Sequence, residues 1–194
     1  MGNGDALRIF LAVEPPAEIL QEIGKIQERL QRSCPFEIRW VKPAGMHLTL
    51  KFFGYISAEE VLAITRVVEQ FTPAVTPLHL EVKGLGVFPS LKRPRVLWIG
   101  LTGDVPPLVV LQKNLEEGFA GCGFPKEERR FQPHLTLGRI KSSRYTGDPE
   151  KFLQQHGTVA AGEFLAGGLS LFKSDLTSQG AVYTRLGWFP FHQQ

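Results

Sequence analysis

The tetrapeptide His-Leu-Thr-Leu occurs twice in this chain of 194 residues, at positions 47–50 and 134–137. With this composition, two such events among the five histidines would arise by chance on the order of once in 10⁵ sequences. The flanks agree as well, since an arginine followed by an aromatic residue, and then a proline, precedes each copy. The repeat therefore indicates an internal duplication in which each half supplies one copy.

Strand geometry gives the two copies a chemical meaning. Alternate side chains of a strand point to the same face, so His47 and Thr49 project together, as do His134 and Thr136, while the leucines point into a core. If a pseudo-two-fold axis relates the halves, the two faces meet across a cleft. Two groups that exchange protons near neutral pH and two hydroxyl donors for an anion then share that cleft, which suits phosphoester chemistry.

Two other interpretations of the motif remain open at this stage. A single His-x-Thr on a strand is most often a histidine whose ring is satisfied by a neighbouring backbone group, although duplication argues against that interpretation here. Histidine is also a common metal ligand, but neither copy has an Asp, Glu, Cys or second His beside it.

Hydrophobic periodicity predicts an α+β fold in which the strands are mostly antiparallel. We expect helices over residues 17–32, 106–122 and 149–155, and a further helix that begins with a capping box at Ser57 and Glu60 and ends at Phe71. The expected strands cover residues 7–13, 36–41, 47–55, 79–88, 95–101, 132–140, 159–172 and 181–188.

The composition limits the kinds of partner that the protein can have. The 22 Lys and Arg against 19 Asp and Glu give a net charge of +3, too small for wholesale coating by nucleic acid, so an anion must be met locally. No stretch resembles a membrane span or a signal peptide, and the two cysteines lack a disulfide or zinc pattern. We therefore expect a soluble cytoplasmic monomer with no membrane partner. Basic residues that either face the cleft or form ordinary solvated surface are Lys42, Lys51, Arg93, Lys126, Arg129, Arg130 and Lys141.

The chain resembles the 2H phosphoesterase superfamily, and within it the RNA 2',3'-cyclic phosphodiesterases once called 2'-5' RNA ligases. Besides the paired motif, the resemblance covers nearly the whole chain. It includes RIFLAV at 8–13, HLTLKFFG at 47–54, GVFP at 86–89, RVLW at 95–98 and PHLTLGR at 133–139. It implies a single domain over residues 1–194 with two interleaved, pseudo-two-fold lobes, each an antiparallel sheet backed by helices, around a central cleft. It implies no metal and no organic cofactor.

The resemblance also implies roles for individual residues. His47 is the general acid on the leaving 3'-oxygen, His134 is the general base on water, and Thr49 and Thr136 hold the phosphate, which leaves a 2'-phosphate end. Running the same groups backwards gives weak 2'-5' RNA ligation. The resemblance also suggests a cleft-reaching arginine at Arg139, although strict alternation from His134 would turn Arg139 away. A bulge at Gly138 would redirect it; otherwise Arg139 is a surface residue at a strand end.

The sequence leaves two questions undecided: the identity of the substrate and the roles of two aromatic residues. Phe10 and Phe52 either stack on a base or belong to the core. The substrate is either an RNA end with a 2',3'-cyclic phosphate or a small cyclic nucleotide, and a non-catalytic nucleotide-binding module is the third alternative.

Overall fold

The structure, a computed structural model, describes residues 6–178 and 180–192, with the side chains of residues 142–144 outside the description. The helices are α1 (Ala17–Gln31), α2 (Ala58–Phe71), α3 (Val105–Gly121) and α4 (Pro149–His156). The strands are β1 (Leu7–Val13), β2 (Phe36–Trp40), β3 (Leu48–Ile56), β4 (Leu78–Phe88), β5 (Val96–Gly103), β6 (His134–Tyr145), β7 (Ala160–Ala166), β8 (Gly168–Thr177) and β9 (Gly180–Pro190).

The strands form two antiparallel sheets that interleave the two halves of the chain. One sheet has four strands in the order β3-β1-β8-β9, and the other has five in the order β2-β6-β5-β4-β7. Each motif strand lies beside the strand that opens its half, since β3 pairs with β1 and β6 pairs with β5. Strands β8 and β9 complete the sheet of the first motif, while β4 lies in the sheet of the second. The α+β, mostly antiparallel prediction is confirmed.

One core lies between the sheets and the helices. The leucines of both motifs, Leu48, Leu50, Leu135 and Leu137, are buried in it. The buried apolar residues of all four helices belong to the same cluster. Helix α2 begins as predicted, because the Ser57 hydroxyl accepts from the Glu60 amide at 3.2 Å and the Glu60 carboxylate accepts from the Ser57 amide at 2.7 Å. The helices therefore cover the leucine faces of the sheets.

The predicted strand over residues 159–172 is wrong, because the chain forms two strands there. Strand β7 belongs to the five-stranded sheet and β8 to the four-stranded one, so the chain crosses between sheets at Gly167. Gly168 begins β8 where a Cβ would lie 2.4 Å from the Phe189 carbonyl oxygen on β9. The sequence pattern of this stretch predicts one continuous strand, because the break depends on the sheet that β7 and β8 each join. Within the described part of the chain, no helix is long and apolar enough to span a membrane.

Candidate active site

The faces opposite the helices carry the predicted site residues. On β1, Ile9, Leu11 and Val13 enter the main core, whereas Phe10 and Ala12 form a second, small cluster with Phe172 and Tyr183. Thr49 is the cross-strand partner of Ala12, and Thr136 is the partner of Trp98 on β5. Both threonines are half-buried, and neither hydroxyl has a hydrogen-bond partner among the described residues. Both hydroxyls are therefore available to a ligand.

His47 lies directly before β3 in a mostly aromatic pocket. Its ring stacks on Phe10 with the centroids 4.4 Å apart and the planes at 25°, and the Tyr183 ring meets it edge-on at 5.0 Å. Burial lowers the pKa of His47 to about 4, although a hydrogen bond to the Gly45 backbone and the Glu14 carboxylate both act to raise it. Above that pH the ring is neutral in the free protein.

Glu14 is held next to this pocket by the four-stranded sheet. Its carboxylate accepts a hydrogen bond from Ser170 on β8 and lies 3.2 Å from Nη1 of Arg185 on β9. Ser170 is fully buried and is the cross-strand partner of Ala12. Glu14 could not be singled out from the sequence, because the residues that hold its carboxylate lie 156 and 171 positions further along the chain.

His134 begins β6 and carries the same kind of backbone restraint as His47. Its Nδ1 donates to the Gln132 carbonyl oxygen at 2.7 Å, and the Phe88 ring contacts it edge-on at 4.8 Å. Burial lowers the pKa of His134, partly offset by the hydrogen bond to Gln132. Each motif histidine thus bonds the backbone two residues before it. For His134 this leaves Nε2 unprotonated in the neutral ring and able to accept a proton.

A β-bulge redirects Arg139, against the prediction of strict alternation. Thr136 is opposite Trp98 and Gly138 is opposite Leu97, so Leu137 is the extra residue. Arg139 is then opposite Val96, which shares a face with Trp98 because the two are alternate residues of β5. Arg139 therefore emerges on the same face as Thr136. We use the name motif face for the side of the two motif strands that faces away from the helices and carries His47, Thr49, His134, Thr136 and Arg139.

The two aromatic candidates differ in exposure. Phe10 is 1% exposed and is surrounded by His47, Phe172 and Tyr183, so the hypothesis that it stacks on a base is not supported; it supports the ring of His47 instead. Phe52 is 41% exposed, and the Arg8 guanidinium lies over its ring at 4.3 Å. Phe52 alone of the two presents surface to a ligand.

Lys51, one of the basic residues considered for the cleft, points the other way. Its Nζ is buried against α3, where it donates to both Glu116 carboxylate oxygens at 3.0 and 2.9 Å and to the Pro125 carbonyl at 2.9 Å. The reason is again a bulge, since Leu50 is extra and Lys51 is opposite the core residue Leu11. Lys51 therefore anchors the first motif strand to α3 instead of meeting an anion.

Gln27 on α1 ties the two motifs together and was not predicted. Its Nε2 donates to the carbonyl oxygens of Val41 and Leu137, both at 2.9 Å, and the Val41 amide itself donates to Leu137 at 2.9 Å. The segment that leads to His47 is thereby fixed to the strand of the second motif. A buried amide on a helix could have been noticed from the sequence, since Gln27 lies on the apolar face that includes Ile23, Ile26 and Leu30.

Comparison with known proteins agrees with this duplicated arrangement. The family model described as LigT like Phosphoesterase matches the chain twice in succession, over residues 13–98 and 99–183. A protein of Aquifex aeolicus named RNA 2',3'-cyclic phosphodiesterase is 36% identical over 84% of this chain and 88% of its own length. One of the same name from Methanothermobacter thermautotrophicus is 32% identical over 94% of this chain and 98% of its own.

Solved structures show the same fold. The crystal structure of Escherichia coli LigT in its apo form has a TM-score of 0.77 and 26% identity, covering 98% of this chain and all (100%) of the LigT chain. LigT complexed with 3'-AMP has the same TM-score at 27% identity, with 97% and 99% covered. Two sheets, two His-x-Thr strands and a twofold family match define a phosphoesterase of the two-histidine class. The chain belongs to the LigT-like phosphoesterase family, and it is a hydrolase.

Proposed function

We propose that this protein hydrolyses the 2',3'-cyclic phosphate end of RNA to a 2'-phosphate, with His47 as general acid and His134 as general base. The observation that carries the proposal is the duplicated pair of histidine and threonine, each pair on the side of its strand that faces away from the helices, with each imidazole restrained by the backbone two residues earlier. Relatives at 36% and 32% identity bear the name of this activity.

The base side of the reaction rests on His134. Its Nδ1–H is committed to the Gln132 carbonyl, so Nε2 is the free acceptor, and its lowered pKa favours the neutral ring that a base requires. Nε2 takes a proton from water as the water oxygen bonds to phosphorus. Proton transfer by a positioned side chain typically contributes about 10²- to 10⁴-fold.

The general acid of the reaction is His47, which must be protonated before it can donate a proton to the leaving oxygen. Burial opposes this in the free protein, where the pKa is about 4, but the negative charge of a bound cyclic phosphate favours the imidazolium, as does Glu14. As the bond from phosphorus to the 3'-oxygen breaks, His47 protonates that oxygen. His134 ends protonated and His47 neutral, and exchange with solvent resets both.

The remaining groups of the motif face stabilise the charge on phosphorus. The hydroxyls of Thr49 and Thr136 donate to non-bridging oxygens, and Arg139 adds a positive charge from the same side. Phe52, with 41% of its surface exposed, offers its ring to the terminal base. If a 5'-hydroxyl takes the place of water in the same steps, its oxygen bonds to phosphorus as the bond to the 3'-oxygen breaks, which forms a 2'-5' linkage; we therefore also propose a weak 2'-5' ligase activity.

A small cyclic nucleotide is the second candidate substrate, favoured by the structure of Escherichia coli LigT with a mononucleotide, 3'-AMP. The decisive experiment incubates chelator-treated protein with an oligoribonucleotide that ends in a 2',3'-cyclic phosphate and, separately, with free 2',3'-cyclic nucleotides. We expect the oligoribonucleotide to be converted to a 2'-phosphate end at the higher kcat/KM. Faster hydrolysis of the free nucleotides would favour the second candidate, and binding without turnover would favour a nucleotide-binding module.

A further inference from the structure

Two arginines lie directly opposite each other at the edge of the motif face. Arg39 on β2 is the cross-strand partner of Arg139 on β6, so both side chains leave the sheet on the same side. Both are exposed. Two like charges in this arrangement destabilise a sheet unless an anion lies between or above them.

The backbone holds this pair close together. Gly138, next to Arg139, leaves no room for a side chain, because a Cβ there would be 2.3 Å from Cγ2 of Ile38 and 3.1 Å from the carbonyl oxygen of Arg39. The absence of a Cβ at Gly138 therefore permits β2 to approach β6 closely. The backbone of this sheet edge therefore fixes the two arginines opposite each other.

The described part of the chain supplies no counter-charge to the pair. Among the residues that the structure describes, neither arginine has a carboxylate partner. The acidic residue nearest in sequence on the same strand, Glu37, is already paired with Lys141 at 3.2 Å. The site therefore has unbalanced positive charge.

Arg39 also reaches toward the other sheet. Its Nη2 lies 4.0 Å from the position that a Cβ would take at Gly180, where β9 begins. The guanidinium thus stands where the five-stranded sheet and the β8–β9 hairpin come together, outward from Arg139. A polynucleotide whose terminal phosphate lies at Arg139 can place its next phosphate here.

We propose that Arg39 binds the internal phosphodiester next to the terminal cyclic phosphate, so that the enzyme prefers RNA strands to mononucleotides. This inference rests on the proposed function and extends it to substrate length. A guanidinium offers bidentate hydrogen bonds to a phosphodiester, and its planar fork is poorly replaced by other side chains. In this proposal Arg139 binds the terminal phosphate, and Arg39 binds the phosphate before it.

The test compares adenosine 2',3'-cyclic phosphate with the dinucleotide ApA ending in the same cyclic phosphate, on wild type and Arg39→Gln. We expect Arg39→Gln to lower kcat/KM for the dinucleotide roughly tenfold and to leave the mononucleotide unchanged. The slope of log kcat/KM against log salt concentration for the dinucleotide should also become shallower by about 0.7, the value for one phosphate of a single strand. Arg39→Lys should recover part of the salt slope.

Arg66→Gln is the matched control, since it removes one exposed positive charge from α2, which packs on the side of the sheets opposite the motif face. Both substrates should respond equally, and little, to this change. An Arg39→Gln enzyme that loses the same factor on both substrates, or on neither, would overturn the inference. Wild-type enzyme that hydrolyses neither substrate would overturn the proposed function itself, a result that no effect of Arg39→Gln can imitate.

Discussion

The strands of the two motifs contain the same β-bulge but present different side chains after it. In both, the second leucine of the tetrapeptide is the extra residue of a bulge, opposite β1 in one half and β5 in the other. The residue three positions after each threonine then emerges on the motif face. That residue is Phe52 in the first half and Arg139 in the second. Duplication thus preserved the backbone and left one position free to become aromatic in one copy and cationic in the other.

The two histidines differ in the same way. His47 is enclosed by Phe10 and Tyr183 and has Glu14 nearby, while His134 lies between Phe88 and Trp98 and no carboxylate contributes to its pKa shift. Identical tetrapeptides therefore do not make identical groups. A nearby carboxylate suits a group that must hold a proton, and its absence suits a group that must accept one.

The largest effects are expected from the histidines. His47→Ala and His134→Ala should each lower kcat by about 10²-fold or more while the melting temperature stays close to wild type, because each removes a group to which we assign a proton transfer. His79→Ala, on an exposed position of β4, is the control and should keep full activity. A near-wild-type rate in either motif variant would remove that histidine from the catalytic pair.

A substrate with a leaving group of low pKa, such as a nitrophenyl phosphodiester of a nucleotide, separates the two roles. It needs no acid, so it should restore much of the rate to His47→Ala and little to His134→Ala. Rescue of His134→Ala instead would exchange the two assignments.

The threonines come next and should behave alike. Thr49→Val and Thr136→Val keep the shape of the side chain but lose one donor to a phosphate oxygen, which should cost about 2 to 4 kcal/mol of transition-state stabilisation. Steady-state kinetics should show kcat changing more than KM. An unequal pair would mean that the duplicated tetrapeptide is not a duplicated functional unit.

The pH dependence should show the asymmetry of the histidines. In the proposed mechanism His134 must be neutral, so activity should fall as the pH drops through its pKa. His47 must be protonated, so activity should fall as the pH rises through its own pKa. Since the pKa of His47 is about 4 in the free protein and a bound anion raises it, the alkaline limb of kcat should lie at higher pH than that of kcat/KM. Coincident alkaline limbs would contradict this.

Gln27→Leu tests the connection between the two motifs. It removes the hydrogen bonds to Val41 and Leu137 and should lower the free energy of unfolding by about 1 to 3 kcal/mol, as measured by urea denaturation. Gln21→Leu, at an exposed position of the same helix, is the control and should change it little. Equal stability of the two variants would mean that the Gln27 bridge contributes nothing.

The smallest expected effect is that of a chelator. The proposed mechanism uses an acid, a base and anion donors from the chain itself, so EDTA should leave kcat and KM unchanged. Loss of activity that a divalent ion then restores would contradict a mechanism based on the two halves alone.

Secondary structure and side-chain positions were predicted well from the sequence where they are determined by neighbouring residues. They were predicted less well where they are determined by distant strands. The capping box at Ser57 started α2 as expected, since both partners lie within one turn. The break at Gly167, the position of Glu14 and the burial of Lys51 all depend on residues far along the chain. The direction of Arg139 needed the cross-strand register of β5, which no pattern in β6 alone contains.

The interleaving of the sheets has a consequence for biosynthesis. Tyr183, which forms one wall around His47, lies on β9, and β9 pairs with β8, which in turn pairs with β1. A ribosome that has released only the first half of this chain has therefore made a histidine without its enclosure and a sheet with one side unpaired. The surroundings of the first motif are completed only after β9 has been translated, so a product that terminates before β9 lacks both sites and not just the second one.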